Sequence, residues 1–421
     1  MTLPPKKPVL GMILKGYPRI SESFISNEIL LLERQGIPIH IFSMRHPRES
    51  FSHKSVQQIG ARVDYLPQSI LEALPQLLFY NLIQAMKRPG LYLRAIRVAF
   101  RRFLRTHKSA TIKHLLQAGY LVQKLLPGSG VIHLHAHFAH SPSSVAMFAS
   151  QLSGLDFSFT GHAKDIYTSN PLQLKEKMNK ARFVVTCTEF NRRHLARLAG
   201  KDHVPLYRMY HGIDLDLFSG GNSRGTPTAP YGLVTVARLV PKKGLPTVYR
   251  ALQRLQLKGV DFRHRLIGDG DERDKILALI RELGLSESCR WVGTLAHEQV
   301  LDYYRRSDLF VLGCEQAVNG DQDGIPNVFV ESLAMGLPVV GTRLSAIPEL
   351  IEDGKTGLLV QPGNDEEMAN GMLRILTDTQ LREQILHSGK ERVRQAFNNR
   401  ELIKDLFSVY RKEVPELKLK A

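Results

Sequence analysis

Residues 319–360 read NGDQDGIPNVFVESLAMGLPVVGTRLSAIPELIEDGKTGLLV. Gly324 and Pro326 make Asp323 a loop residue, and VFVESLAMG reads as the helix that follows. LPVVGT is then a short apolar run closed by turn residues, and TGLLVQPG repeats that form further on. Strands alternating with helical stretches are the pattern of a parallel sheet with helices on both faces.

The pattern continues toward the N-terminus. SDLFVLG, CRWVGTL, FRHRLIGDG and YGLVTVAR read as further strands with helical stretches between them. Beyond them lie ARFVVTC, FSFT, VIHLHAHF, RVDYL, IPIHIF and VLGMIL. Between the two series, GGNSRGTPTAP (220–230) is the one clear Gly/Pro/Ser/Thr linker. The expectation is therefore an α/β protein of two doubly wound, Rossmann-like parallel-sheet domains, residues 1–219 and 231–390, with C-terminal helices over 391–421. Ligands of open α/β sheets bind beyond the carboxyl ends of strands. The polar motifs fall at those ends, which predicts a cleft faced by both halves.

Composition narrows the class. A chain of 421 residues with 43% hydrophobic and 23% charged residues is globular, which excludes disorder, collagen and coiled coil. Three cysteines (Cys187, Cys289, Cys314) make no disulfide framework and suit a reducing compartment. The first residues lack an apolar signal region, and no stretch is long and apolar enough to span a membrane. The expected location is cytoplasmic.

Charge is divided unevenly. Residues 1–230 carry 30 Lys and Arg against 13 Asp and Glu, whereas residues 231–421 carry 27 of each. No acid occurs between Glu72 and Asp156, a span with ten basic residues. Within it, LYLRAIRVAFRRFLR places Tyr92, Ile96, Ala99 or Phe100, and Phe103 on one helical stripe and Arg94, Arg97, Arg101 and Arg105 on another. That is a basic amphipathic helix suited to an anionic membrane surface. Nucleic acid would also take such charge, but no RNA- or DNA-binding pattern accompanies it, so no nucleic-acid partner is expected.

Several residues suggest chemistry. Arg238 ends one strand and Lys243 follows five residues later, before Gly244 and a helical stretch. Two cations before a helix N-terminus would hold a diphosphate. Gly268 and Gly270 at the next strand end would allow close backbone approach to a ligand, although a single Gly-x-Gly lacks the rest of a dinucleotide fingerprint. Asp323 and Glu331 stand eight apart, one before the helix and one inside it, where each could accept hydrogen bonds from sugar hydroxyls. His133, His135 and His137 alternate on one side of a strand, which suits either zinc or a strand end lining the cleft.

Taken together, DGIPNVFVESLAMGLPVVGT, ARLVPKKG, LIGDGDER, FTGHAKDI, HLHAHFAH and KGYPRISESFISNEI resemble glycosyltransferase family 4, from about Val9 to about Arg394. Within that family they most resemble colanic-acid-type exopolysaccharide glycosyltransferases. The resemblance implies the GT-B fold, a retaining and metal-independent mechanism, and no cofactor beyond a UDP- or GDP-sugar donor. It implies a lipid-linked or polysaccharide acceptor bound by the basic first domain, on the inner face of the cytoplasmic membrane. The C-terminal helix of that fold usually crosses back to the first domain.

By the same resemblance, Arg238 and Lys243 neutralise the leaving diphosphate, Glu331 holds the ribose and Asp323 contacts the sugar hydroxyls. The family usually has Glu at the position of Asp323. Asn327, Val328 and Phe329 correspond to the loop whose N–H groups face sugar and phosphates. His162 corresponds to the cleft histidine near the transferred sugar, and Asp165 to an acid that follows it. Gly16 lies in a loop near the donor phosphates, where many relatives have Gly-Gly and this chain has Gly16-Tyr17-Pro18. The family is metal-independent and shows a similar HAHF string, so no metal is expected at the histidines. The alternatives are a sugar-nucleotide epimerase-like enzyme on the same fold, and a non-catalytic membrane-associated glycan-assembly subunit.

Overall fold

A computed structural model describes residues 7–19, 22–47, 54–200, 203–218 and 226–419. The chain divides into two units, Met1–Cys187 with Asn191–Met209 and Ile403–Ala421, and Thr188–Phe190 with Tyr210–Leu402. Of the expected linker, residues 220–225 lie outside the described residues. The division itself falls earlier, after Met209, because the next residues are tied to the second unit. Tyr210 donates to Glu349 at 2.9 Å, and Ile213 exchanges backbone hydrogen bonds with Phe397 and Asn399.

The first unit is built on β1 (Val9–Leu14), β2 (Ile39–Ser43), β3 (Arg62–Tyr65), β4 (Val131–His137), β5 (Asp156–Gly161), β6 (Val184–Thr186) and β7 (Leu206–Arg208). They form a parallel sheet in the order β3-β2-β1-β4-β5-β6-β7. Its helices include α1 (Ser23–Arg34), α2 (Leu74–Lys87), α3 (Pro89–Thr106), α4 (Ala110–Tyr120), α5 (Ser141–Ser153), α6 (Ala163–Tyr167) and α7 (Pro171–Lys180). Burial of both sheet faces explains the nearly unbroken apolar runs of β1 and β2. On one face, Leu10, Met12 and Ile41 pack with Ile403, Leu406 and Tyr410 from the end of the chain. On the other, Leu134 and Phe157 pack with Val145 and Phe148 of α5.

The second unit holds β8 (Tyr231–Val236), β9 (Phe262–Ile267), β10 (Cys289–Gly293), β11 (Leu309–Val311), β12 (Val339–Thr342) and β13 (Leu358–Val360). Their parallel order is β10-β9-β8-β11-β12-β13. Here α8 (Leu245–Leu257), α9 (His297–Arg306) and α10 (Asn327–Ala334) matter most for the site. Both sheets reverse their winding between two neighbours, β1 and β4 in the first and β8 and β11 in the second. Each switch point opens a crevice beyond the carboxyl ends of the strands of its own sheet.

The basic helix expected within 91–105 is α3; its arginine stripe is exposed as expected, and its apolar stripe divides between exposed and buried positions. Ala95, Ala99 and Arg102 are buried, whereas Leu93, Ile96, Phe100 and Leu104 are exposed. Small side chains let α3 lie close to its neighbours, so its large apolar residues turn outward. Arg102 points inward and donates to Gln173 at 3.1 Å and Ser144 at 3.3 Å. Burial lowers its pKa to about 10.

Candidate active site

At the second switch point, the segment after β8 turns through a 3-10 turn at Pro241–Lys243 and enters α8 through Gly244. Gly244 has φ +56°, and a Cβ there would lie 1.7 Å from the Gly313 carbonyl oxygen. Only glycine permits both the left-handed turn and this approach to the end of β11. The approach docks two lysines against the acids that follow β11. Lys243 Nζ lies 2.6 Å from Asp323 Oδ2, and Lys242 Nζ lies 3.0 Å from Asp321 Oδ1 and 3.1 Å from Asp323 Oδ1.

This four-charge cluster is largely buried, which sharpens its electrostatics. Burial alone would raise the Asp323 carboxyl, but Lys243 and Lys242 bring its pKa down to about 2. Burial would likewise lower the Lys243 ammonium, and Asp323 more than offsets it. Beside them, burial pushes the Cys314 thiol up, so it remains protonated. Lys242 and Asp321 were missed in the sequence. Their signal was the Lys242-Lys243 doublet and the Asp321-x-Asp323 pair, which only tertiary contact joins.

The other expected residues of this unit are placed as follows. Arg238 is exposed just past β8 and, among the described residues, pairs with no carboxylate. Glu331 sits in α10, where its Oε2 accepts from the Tyr304 hydroxyl of α9 at 3.1 Å and its Oε1 lies 3.9 Å from His297 Nε2. Burial raises its pKa, against the opposing pull of His297 and Tyr304.

One expectation is corrected. Asn327, Val328 and Phe329 are the first turn of α10 rather than a loop. Asn327 and Val328 N–H groups, at the first two helical positions, have no acceptor within the helix. The Phe329 N–H is spent on the Pro326 carbonyl, and its ring is fully buried beneath Gly341. Gly268 and Gly270 are half-buried, and on the side where a side chain would stand they meet protein backbone. Cβ atoms there would lie 2.0 Å from the Ala237 oxygen and 2.4 Å from the Leu239 oxygen. These glycines let the β9 loop pack on the β8 loop that carries Arg238.

In the first unit, Gly16 is buried in the loop after β1, with Arg19 Nε 3.2 Å from where its Cβ would stand. His162 caps α6 directly after β5. Asp165 fixes that cap, accepting from the His162 N–H at 3.0 Å and from the Ala139 N–H. Burial drives Asp165 up to about 7 against these donors. Lys177 of α7 donates to the carbonyls of Ala139 (2.5 Å) and His140 (2.7 Å). The loop after β4 is thus held from both sides, and its Phe138 ring lies 4.7 Å from that of His162.

The alternating histidines lie on one side of β4, as their spacing requires. His135 places its ring nitrogens 2.8 Å from Ser158 Oγ and 2.9 Å from Thr160 Oγ1, and His133 Nε2 is also 2.8 Å from Ser158. His137 Nε2 lies 3.1 Å from Glu28 of α1, and its ring stacks on that of His162 at 5.8 Å. Glu28, His135 and His137 have ligand atoms within 4.8 Å of one another. Both His135 nitrogens lie within hydrogen-bond distance of hydroxyls, and this strand face leads through His137 to His162.

Comparison with known proteins gives a family match over part of the chain and neighbours in fold. Residues 222–392 match the family described as glycosyl transferases group 1. The putative colanic acid biosynthesis glycosyltransferase WcaL of Salmonella typhimurium is 34% identical over 202 residues, 47% of this chain and 49% of that protein. The amylovoran biosynthesis glycosyltransferase AmsK of Erwinia amylovora is 36% identical over 146 residues, 35% of this chain and 36% of that protein. The chain therefore spans about half, or less, of the length of these curated relatives. Among solved structures, sucrose-phosphate synthase from Thermosynechococcus elongatus superposes with TM-score 0.70 at 18% identity, covering 97% of this chain and 100% of that one. Anabaena HepE in complex with UDP gives 0.67 at 17% identity, covering 96% and 100%. At such identities these likenesses establish the fold.

Proposed function

We propose that this chain, whose residues 222–392 match the glycosyl transferases group 1 family and whose two units each hold a parallel sheet, is a retaining glycosyltransferase of exopolysaccharide or cell-surface glycan synthesis. In this reading it moves a hexose from a UDP- or GDP-sugar to a lipid-linked or polysaccharide acceptor, without a metal. The observation that carries the proposal is the buried Lys243–Asp323–Lys242 cluster at the second switch point, with Glu331 one helix turn into α10. The names of WcaL and AmsK support the glycan class, and the UDP in the HepE complex supports a nucleotide donor.

The donor diphosphate would take Lys243 from Asp323, with Arg238 closing on it from the exposed side. Lys242 would keep Asp323 in place while that carboxylate turned its free lone pairs to the sugar hydroxyls. The first-turn N–H groups of Asn327 and Val328 would meet the phosphates at the positive end of the helix. Glu331, already braced by Tyr304, would hold the ribose. Attack on the anomeric carbon then comes from the face the nucleotide leaves, and the departing phosphate takes the acceptor proton. The protein contributes positioning and fixed charge at the leaving group. His162, stiffened by Asp165 and Phe138, would stand beside the transferred sugar. The acceptor would be met at the inner face of the cytoplasmic membrane by the basic first domain.

The test is nucleoside diphosphate release from UDP-, GDP- and ADP-sugars, with and without EDTA and membrane lipid extract. Release from one donor, stimulated by lipid, indifferent to EDTA and lost in Glu331→Ala, is the expected result. Silence with every donor, from folded protein, would favour a non-catalytic assembly subunit.

A further inference from the structure

Helices α2 and α3 carry their apolar residues on the wrong side for a water-exposed surface. In α2 the packed face is Leu77, Asn81 and Gln84, two of the three being polar. Asn81 donates to the Leu77 and Leu116 carbonyls, and Gln84 to the Leu152 carbonyl at 2.8 Å. The opposite face shows Leu78, Phe79, Leu82 and Met86, each 52–66% exposed. In α3 the packed face is Ala95, Ala99 and Arg102, while Leu93, Ile96, Phe100 and Leu104 are 42–60% exposed. The two helices are consecutive, meet at Arg88 and both pack on α4. Apolar exposure on this scale marks an interaction surface.

Charge identifies what covers it. Arg94, Arg97 and Arg101 each follow an exposed apolar residue of α3 by one position, about 100° round the helix. All three are exposed, and among the described residues none is within ion-pair range of a carboxylate. Arg105 alone on that stripe is paired, with Glu176 at 2.6 Å. An apolar row edged by unpaired guanidinium groups fits an anionic bilayer, whose acyl layer takes the row and whose headgroups take the arginines. No described helix is long and apolar enough to cross a membrane, so the contact lies along the surface.

We infer that α2 and α3 together form a wedge that inserts the Leu78/Phe79/Leu82 face and the Ile96/Phe100/Leu104 face into one leaflet of an anionic membrane. This rests on the reading that the protein meets its acceptor at a membrane. It adds that binding is by apolar insertion of two helices, with the arginines setting lipid preference.

Co-sedimentation with phosphatidylglycerol-containing and pure phosphatidylcholine vesicles tests the inference. Wild type partitions onto the anionic vesicles. Arg94→Gln/Arg97→Gln/Arg101→Gln lowers that partition about 100-fold, from about fivefold per arginine near such a surface. Phe79→Ser/Leu82→Ser/Phe100→Ser/Leu104→Ser, all at exposed positions, lowers it at least as much while leaving thermal unfolding unchanged. Phe100→Trp, read as the difference from wild type, is quenched by lipids brominated in the acyl chain. Absence of vesicle binding would overturn the wedge, as would binding that the serine variant retains. So would a wild-type dimer that the serine variant converts to monomer, since a second copy would then cover the face. Donor turnover on a water-soluble acceptor, measured on the same proteins, separates the two readings. If it persists without vesicle binding only the wedge fails, and if it is absent throughout the transferase reading fails on its own.

Discussion

At the residue scale, the cluster around Asp323 makes two distinct predictions. Lys243→Ala removes a buried cation that Lys242 cannot replace at the same point. The chemical rate should fall by orders of magnitude while circular dichroism stays that of the wild type, and unchanged turnover would remove Lys243 from the mechanism. The second prediction concerns acid. The folded-state pKa of Asp323 is about 2, below the ordinary 3.8, so protonation opposes folding. One pKa unit is about 1.4 kcal/mol, so the pairing contributes on the order of 2 kcal/mol at neutral pH. That stability is present above pH 3.8 and drains as pH falls toward 2. Urea unfolding of Asp323→Asn across this window should show a flatter pH dependence than wild type. An identical slope would mean that the lysines do not hold this carboxylate in the folded chain.

At the element scale, the loop from β8 into α8 is shaped by one glycine. Gly244→Ala adds left-handed strain and drives a methyl group onto the Gly313 carbonyl, which lies 1.7 Å from the ideal Cβ. Strain and overpacking together should cost roughly 2–5 kcal/mol. The denaturation midpoint of the second unit should fall accordingly, and a loss below about 1 kcal/mol would show that the loop can move aside. The same element shows how far sequence reading reached. Short runs closed by turn residues located β1 to β6 and β8 to β13, and a strand such as β1 is continuously apolar because both its faces are buried. β7 was missed, since Leu206–Arg208 is a three-residue edge strand with an exposed Arg. The spacing of α3 left Ala99 and Phe100 as alternatives for one position of its apolar stripe, and only packing decides that Ala99 is buried and Phe100 exposed.

At the scale of the whole molecule, the end of the chain belongs to the beginning. Ile403, Leu406, Val409, Tyr410, Val414 and Leu417 are buried in the first unit among Leu10, Met12 and Ile29. Each such burial is worth about 1.5–3 kcal/mol, against a typical domain stability of about 5–15 kcal/mol. Deleting residues 403–421 should therefore abolish the cooperative unfolding of the first unit and leave that of the second. Two intact transitions in calorimetry would show that the first unit folds without its last helix.

The sequence by itself determined the strand and helix alternation, the two parallel sheets, the neutral second half, and the acids and cations at Asp323, Glu331, Arg238 and Lys243. These follow from local periodicity and residue type, which one chain displays directly. Only the tertiary structure decided that Lys242 and Asp321 join the cluster, that Gly268 and Gly270 serve loop packing, that Phe329 is core, and that Arg102 is buried while Phe100 is not. Each of those depends on which segment lies opposite, across separations such as the 79 residues between Lys242 and Asp321. Spacing along the chain carries no information about a partner that distant, whereas close packing of the folded chain specifies it.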